Sequence, residues 1–378
     1  MLKKSFFLAK CFVIVVLAVF CAIAPLAQQV ESSGSKETPA ASTTPLFGAG
    51  ERQASQNQSP THNLSSDSLK PKIIEDWTTP LLKGSDLKAS DPIVGEIDVQ
   101  PGFTRELTRV QWRPADPIDL YIIKPTGVKK PPVILYLYSY PFETDRFLRS
   151  DFCRFLTQNG FAAVGFASAL TGQRYHDVAM TEWFVSDLPQ SLATSAHGVQ
   201  MILNYLATRS DLDLTQVGMF GDGSGATIAI LAAAVDSRIQ TLDLLDPWGD
   251  WPDWIAKSTL IPEKERPGLV KPDFLAAAAP LDPLEWLPQL KTRRVRIQHV
   301  GSVTVTPTEA RQKLEAAVPA NMQFVRYDNT RAFLKAISGG RGLDWIKEQL
   351  QPGAPRSQLH ATSDSVAHDP SAQAKVTQ

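Results

Sequence analysis

A short glycine-rich segment holds the first residues that could do chemistry. It reads Gly221-Asp222-Gly223-Ser224-Gly225 and lies between an apolar run, 217–220, and an alanine-rich run, 226–235. The first run is typical of a buried strand and the second of a helix, so the glycines indicate a sharp strand-to-helix turn. A serine hydroxyl presented on such a turn is a candidate nucleophile.

The segment resembles the nucleophile elbow of the α/β-hydrolases, a G-x-S-x-G turn that lifts the catalytic serine above the sheet. With Gly221 and Gly225 as the flanking small residues, the nucleophile position holds Gly223, which has no side chain. Centring the motif on Ser224 would instead put an aspartate and an alanine at the crowded flanks. Two interpretations follow: either the nucleophile is absent, or Ser224 is a displaced nucleophile.

The surrounding pattern predicts an α/β protein. Residues 104–112 and 118–123 alternate like antiparallel strands, whereas 132–138 is continuously apolar, as in a strand buried on both faces. Further strands are predicted at 161–167, 217–220, 239–245, 294–300 and 322–327, and helical patterns lie between several of them. This order predicts the α/β-hydrolase fold, a mostly parallel central sheet with helices on both faces, over about residues 100–350.

A second resemblance indicates which branch of the α/β-hydrolases the chain is most similar to. Ala279-Pro280-Leu281-Asp282-Pro283, then 295–301, then Thr306-Pro307 is similar to a run in the prolyl-oligopeptidase and dienelactone-hydrolase branches. In those families the triad carboxylate follows the strand's terminal glycine by two or three residues, where this chain has Val303 and Thr304. The triad histidine lies in the loop after the last strand, here 328–332, which contains none. The resemblance therefore implies a degenerate triad.

Other residues could serve if the protein is active. Ser224 would then be the nucleophile, His299 the base, and Asp246 the carboxylate that orients the base. The resemblance also implies an oxyanion-like pair of backbone N–H groups at Tyr140 and Ser224.

Three tryptophans in the segment 246–254 permit two interpretations. Trp248, Trp251 and Trp254 lie among three aspartates, just after the strand 239–245 and beside the crevice where open α/β sheets bind ligands. They form either a ligand lip suited to a sugar or a cation, or a packed cap on the sheet.

Composition predicts where the protein is found. Lys3 and Lys4 precede an apolar run, 12–24, too short for a comfortable membrane span, so 1–27 is predicted to be a signal peptide of an exported, periplasmic or secreted protein. An uncleaved anchor is the alternative, and would be the only contact with a membrane. Residues 28–70 and 351–378 are predicted to be disordered, which leaves 71–350 as the folded domain.

Charge and motif content exclude some functions. The net charge is −1, and loss of three lysines with the signal would make it about −4. This balance lacks the excess of positive charge that nucleic-acid binding requires. No metal or cofactor is predicted, because the histidines lack companions at ligand spacing and no phosphate-loop Lys follows Gly225. A small-molecule or carbohydrate ligand remains open, and nothing indicates the oligomeric state.

The leading hypothesis is thus an exported α/β-hydrolase-fold protein that has lost serine-hydrolase catalysis and acts in binding or scaffolding. One alternative is an active exported carboxylic-ester hydrolase or peptidase that uses Ser224. The other is a carbohydrate-binding accessory protein that uses the tryptophans.

Overall fold

The computed structural model describes most of the chain between residues 75 and 351. It covers residues 75–82, 91–113, 116–140, 143–170, 180–292, 294–319 and 322–351. The predicted signal peptide, the predicted disordered segment 28–70 and residues 352–378 of the predicted tail lie outside these ranges. Within them, no helix is both long enough and apolar enough to cross a membrane.

One mixed sheet contains the nine strands found in the described ranges. In chain order they are β1 (Ile93–Gln100), β2 (Phe103–Arg113), β3 (Asp116–Pro125), β4 (Pro132–Leu137), β5 (Ala162–Phe166), β6 (Asp213–Asp222), β7 (Ile239–Leu245), β8 (Arg294–Val300) and β9 (Gln323–Tyr327). Their spatial order is β1-β2-β3-β5-β4-β6-β7-β8-β9. The pairs from β1 to β3 and the pair β3·β5 are antiparallel, and every pair from β5 through β4 to β9 is parallel.

Helices connect the parallel strands. They are α1 (Ser150–Thr157), α2 (Met180–Ala207), α3 (Ser224–Val235), α4 (Trp251–Lys257), α5 (Arg266–Leu269), α6 (Pro272–Ala278), α7 (Pro283–Trp286), α8 (Thr308–Ala317), α9 (Thr330–Ile337) and α10 (Asp344–Leu350). Short 3₁₀ turns lie at Asp145–Leu148, Ala279–Leu281, Leu287–Gln289 and Ser338–Leu343.

The core lies around β4, β6 and α3. Every residue of β5 is buried, and α3 is apolar on all sides and buried from Ser224 to Ala234, as expected of a helix enclosed by the fold. Both α3 and α10 pack against β6 and β7, with Leu350 and Ile346 of α10 against Gly218. This arrangement confirms the predicted mostly parallel sheet with helices on both faces.

The sequence analysis missed β1. This strand lies at the edge of the described sheet and leaves Ile93, Val94, Ile97 and Val99 exposed. A register shift between Val94 and Glu96 interrupts the alternation of its side chains. Residues 96–100 do alternate between polar and apolar, but the strand is short and its apolar side chains are exposed instead of packed on the core.

Candidate active site

The turn between β6 and α3 centres on Gly223. Gly223 is the residue that precedes the first helical residue, Ser224, and has φ 56° and ψ −116°. Its backbone N–H donates to the carbonyl of Leu245 at the end of β7, 2.8 Å away, which holds the turn against the neighbouring strand. A non-glycine residue in such a conformation carries strain of about 1–3 kcal/mol, so glycine suits this position.

The two flanking glycines fix the frame of the turn. A Cβ atom on Gly221 would lie 2.5 Å from Cα of Ala226. A Cβ atom on Gly225 would overlap the carbonyl oxygen of Leu137 and lie 2.6 Å from its carbon. Only glycine therefore fits at 221 and 225, and the residue midway between them is Gly223.

Ser139 occupies the space where a side chain at position 223 would begin. It follows β4, and a Cβ atom on Gly223 would overlap its Oγ, at 2.9 Å from its Cβ and 3.1 Å from Nε1 of Trp248. No local sequence signal predicts this contact, because residues 139 and 223 meet only through the pairing of β4 with β6. The side chain of Ser139, which follows the neighbouring strand β4, thus lies where the side chain of a nucleophile at position 223 would begin.

The hydroxyl of Ser224 has a structural partner. Ser224 is fully buried in the first turn of α3, and its Oγ accepts a hydrogen bond of 2.9 Å from the backbone N–H of Tyr140. This bond ties the end of β4 to the start of α3. It also corrects the oxyanion-like prediction for Tyr140, because that N–H donates to a protein hydroxyl and is not directed at a ligand.

His299 lies on β8 and is buried. Its Nδ1 is 3.1 Å from Oε1 of Glu315 on α8, and the edge of its ring packs against Phe324 at 5.0 Å between centroids. Burial lowers the pKa of His299 to about 4, although the hydrogen bond to Glu315 opposes the shift. The imidazole is therefore neutral near neutral pH, and its Nδ1 is hydrogen-bonded to Glu315.

Asp246 lies just beyond β7, with a left-handed φ of 44°. Its Oδ1 accepts a hydrogen bond of 3.1 Å from the N–H of Val300. Within the described part of the chain, no hydrogen bond joins any two of Ser224, His299 and Asp246. The triad hypothesised from these three residues is therefore not assembled, because each side chain packs against a different element.

Asp246 makes a testable contribution to stability. Burial raises its pKa to about 7, and the N–H of Val300 only partly offsets that effect. The raised pKa means that the protonated acid stabilises the fold at pH below about 4, and that this contribution is lost as the pH rises to about 7. Asn in Asp246→Asn still accepts the N–H bond but cannot ionise. We expect the variant to gain about 1–3 kcal/mol relative to wild type between these pH values.

The measurement is urea unfolding of both proteins at several pH values across that window. A stability difference that stays constant with pH would contradict the prediction.

The loops that carry the triad acid and base in similar families contain structural contacts here. Ser302 Oγ and Thr330 Oγ1 are 2.7 Å apart, and Ser302 Oγ accepts from the N–H of Thr330. Asn329 caps α9 by accepting from the N–H of Ala332 at 3.0 Å. Val303 donates its N–H to the carbonyl of Val300 in a tight turn.

The three tryptophans lie in the core. Trp248, Trp251 and Trp254 are at most 1% exposed, and the rings of Trp248 and Trp254 stack at 4.8 Å between centroids. Asp282, which the sequence analysis did not single out as functional, accepts the N–H groups of Asp250 and Trp251 and so fixes the start of α4. This corrects the ligand-lip hypothesis in favour of the packing interpretation, because the rings present no face to solvent.

The described residues hold no group of three or more His, Cys, Asp or Glu side chains placed to bind a metal ion. The acidic side chains after β7 instead meet a lysine: Nζ of Lys313 on α8 lies 2.7 Å from Asp250 and 2.8 Å from Asp253.

Comparison with known proteins identifies the fold. No family model and no curated protein sequence matches the chain. Acetyl xylan esterase 1 from Thermoanaerobacterium sp. JW/SL YS485 is 14% identical, with a TM-score of 0.51 over 63% of this chain and 81% of its own. S-formylglutathione hydrolase from Agrobacterium tumefaciens is 13% identical, with a TM-score of 0.50 over 68% and 99%. Acylaminoacyl peptidase from Pyrococcus horikoshii is 12% identical, with a TM-score of 0.51 over 67% and 42%.

The chain therefore has the α/β-hydrolase fold, as its sequence predicted. At these identities the likeness concerns the fold alone.

Proposed function

We propose that this protein is an exported α/β-hydrolase-fold protein that has lost catalysis by the serine mechanism and acts by binding or scaffolding. The observation that carries the proposal is that the nucleophile position of the turn holds a glycine. Gly223 supplies no attacking atom there, and Ser139 fills the volume that a side chain would need.

The remaining serine of the turn supports the same proposal. A hydroxyl is a weak nucleophile near neutral pH unless a base lies within hydrogen-bond reach. Ser224 Oγ accepts its hydrogen bond from the N–H of Tyr140, and the Nδ1 of His299 is hydrogen-bonded to Glu315. In serine hydrolases the loss of the nucleophile or of its base costs about 10⁶ in turnover, because the triad acts as a unit.

Labelling of the purified protein with a fluorophosphonate tests the proposal, because this probe reacts with activated serines. We expect no label on the wild-type chain and no turnover of short-chain aryl esters above that of a blank. Ser224→Ala and Ser139→Ala are the matched variants, and an active serine esterase treated in parallel shows that the probe works. Labelling and turnover that disappear in Ser224→Ala would establish the active-hydrolase alternative and overturn the proposal.

The carbohydrate-binding alternative has lost its support. It depended on Trp248, Trp251 and Trp254 as an exposed aromatic surface, and all three are buried. A small-molecule ligand would have to use other side chains.

Export is the second part of the proposal and rests on Lys3, Lys4 and the apolar run that follows them. Mass spectrometry of the protein from its native host is expected to give an N-terminus near Pro25 or Gln28. Recovery of intact Met1 in a membrane fraction would instead make the protein membrane-tethered.

A further inference from the structure

Strand β1 forms one edge of the described sheet. It pairs with β2 on one side, and among the described residues no strand lies on its other side. Alternate residues of an edge strand direct their backbone N–H and C=O groups away from the sheet, where a further strand can bond to them. The pairing of β1 is regular from Glu96 to Gln100, because its register shift lies between Val94 and Glu96. Residues 96–100 are called the open edge below.

The register shift at Gly95 places three aliphatic side chains of β1 on the same face of the sheet. Directly opposed residues of an antiparallel pair share a face, and successive residues of a strand alternate between faces. Val94, Ile97 and Val99 lie opposite residues 108, 106 and 104, which are every second residue of β2. The three side chains are 50%, 59% and 74% exposed, so they form an uncovered aliphatic stripe along the edge.

The polar side chains of β1 make this edge acidic. Glu96 is exposed and has no ion-pair partner within the described part of the chain, whereas Asp98 is ion-paired with Arg105. Asp91, just before the strand, is also exposed. Residues 91–100 contain no lysine or arginine. The open edge therefore presents uncompensated negative charge beside its aliphatic stripe.

This charge distinguishes between the molecules that can cover the stripe. A second copy of β1 would bring the same carboxylates to the same edge, and like charges on neighbouring strands destabilise their pairing. A bilayer that contains anionic lipids would repel them as well. A strand that carries lysine or arginine next to Glu96 would instead gain a cross-strand ion pair.

We propose that β1 is a docking edge for an extended segment of a partner protein in which aliphatic and basic residues alternate. The segment adds as a strand: its backbone bonds to the open edge, its aliphatic side chains pack beside Ile97 and Val99, and a basic side chain on its other face meets Glu96. β1 lies five strand positions from β6, about 24 Å from the turn at Gly223. The docking edge therefore does not depend on whether the protein has lost catalysis.

Binding of synthetic peptides to the purified full chain tests the proposal. The probe is a short peptide in which valine and lysine alternate. One control peptide has glutamate in place of each lysine, and the other has proline in place of the central valine. We expect the lysine peptide to bind less tightly as salt is raised, and both control peptides to bind at least about tenfold more weakly than it does. Equal binding of all three peptides would overturn the proposal, and this comparison needs only the wild-type chain.

Substitutions of two exposed residues test the position of the docking site. Glu96→Lys should weaken binding of the lysine peptide at least about fivefold and strengthen binding of the glutamate peptide, because the cross-strand charges are reversed. Ile97→Thr keeps a β-branched side chain but removes apolar contact, and should weaken binding about fivefold. Val270→Thr is the matched control, since Val270 is 40% exposed but follows helix α5, outside the sheet. Binding that is unchanged in Glu96→Lys and Ile97→Thr would overturn the proposal.

Backbone hydrogen exchange tests the geometry of the bound segment. The lysine peptide should protect alternate amides of the open edge, those directed away from β2, and leave the amides of β4 and β6 unchanged. Binding without new protection in β1 would overturn the proposal. A dimer of the wild-type chain that dissociates in Ile97→Thr would overturn it as well, because a second copy would then cover the stripe.

Discussion

Replacement of Gly225 by alanine is expected to destabilise the protein strongly. The new Cβ would overlap the carbonyl oxygen of Leu137 and lie 2.6 Å from the carbonyl carbon. Both atoms belong to the backbone of β4, which pairs with β5 and β6 and cannot rotate away as a side chain would. Overpacking of this kind costs about 3 kcal/mol or more, a large part of a stability of about 5–15 kcal/mol.

Gly268→Ala is the matched control, because a Cβ there would meet nothing within 4 Å. We expect Gly225→Ala to give little soluble protein and a much lower urea midpoint, and Gly268→Ala to stay within about 0.5 kcal/mol of wild type. Equal stability of the two variants would mean that α3 does not approach β4 as closely as described.

The second large effect concerns restoration of the nucleophile. Gly223→Ser should destabilise the protein and give no ester hydrolysis. The positive φ of residue 223 strains any side chain by about 1–3 kcal/mol, and the Ser139 side chain must also move aside. Even if it moves, the new hydroxyl has no base, since neither 303–304 nor 328–331 supplies a carboxylate–histidine pair in the expected order.

A double-mutant cycle separates the two causes. Ser139→Gly removes the overlap, so Gly223→Ser combined with Ser139→Gly should recover part of the stability that Gly223→Ser loses, while the strain from φ remains. Urea unfolding gives the coupling, and an aryl-ester assay of the same proteins gives activity. Hydrolysis should require, in addition, a histidine within 329–331 and a carboxylate at Val303 or Thr304. Robust turnover by Gly223→Ser alone would contradict this view of the site.

The sequence predicted the fold well because the relevant signals are local. Continuous apolar runs indicated the buried strands, and the spacing of Gly221 and Gly225 indicated the turn and its frame. Steric demands at such a turn act on neighbouring residues and so are visible in a short stretch of sequence.

The side chains that contact the candidate site residues could not be predicted in this way. Ser139 reaches Gly223 because β4 and β6 pair, and Glu315 reaches His299 because α8 packs on the sheet, so both contacts are tertiary. The tryptophan-rich segment was ambiguous for a related reason. Residues 248–254 have the same spacing whether they face solvent or pack inward, and only the position of Asp282 and α3 decides between the two.

The edge strand β1 affects how this protein behaves at high concentration. A sheet edge with exposed apolar side chains can act as a template on which further chains add, which leads to fibres. Here a register shift between Val94 and Glu96 interrupts the strand at Gly95, and Glu96 places an exposed carboxyl group on it, whereas Asp98 is ion-paired with Arg105. An irregular rim that carries a charge is a poor template for another copy of the same strand, so we expect Gly95 and Glu96 to oppose edge-to-edge polymerisation despite the exposed Ile97 and Val99.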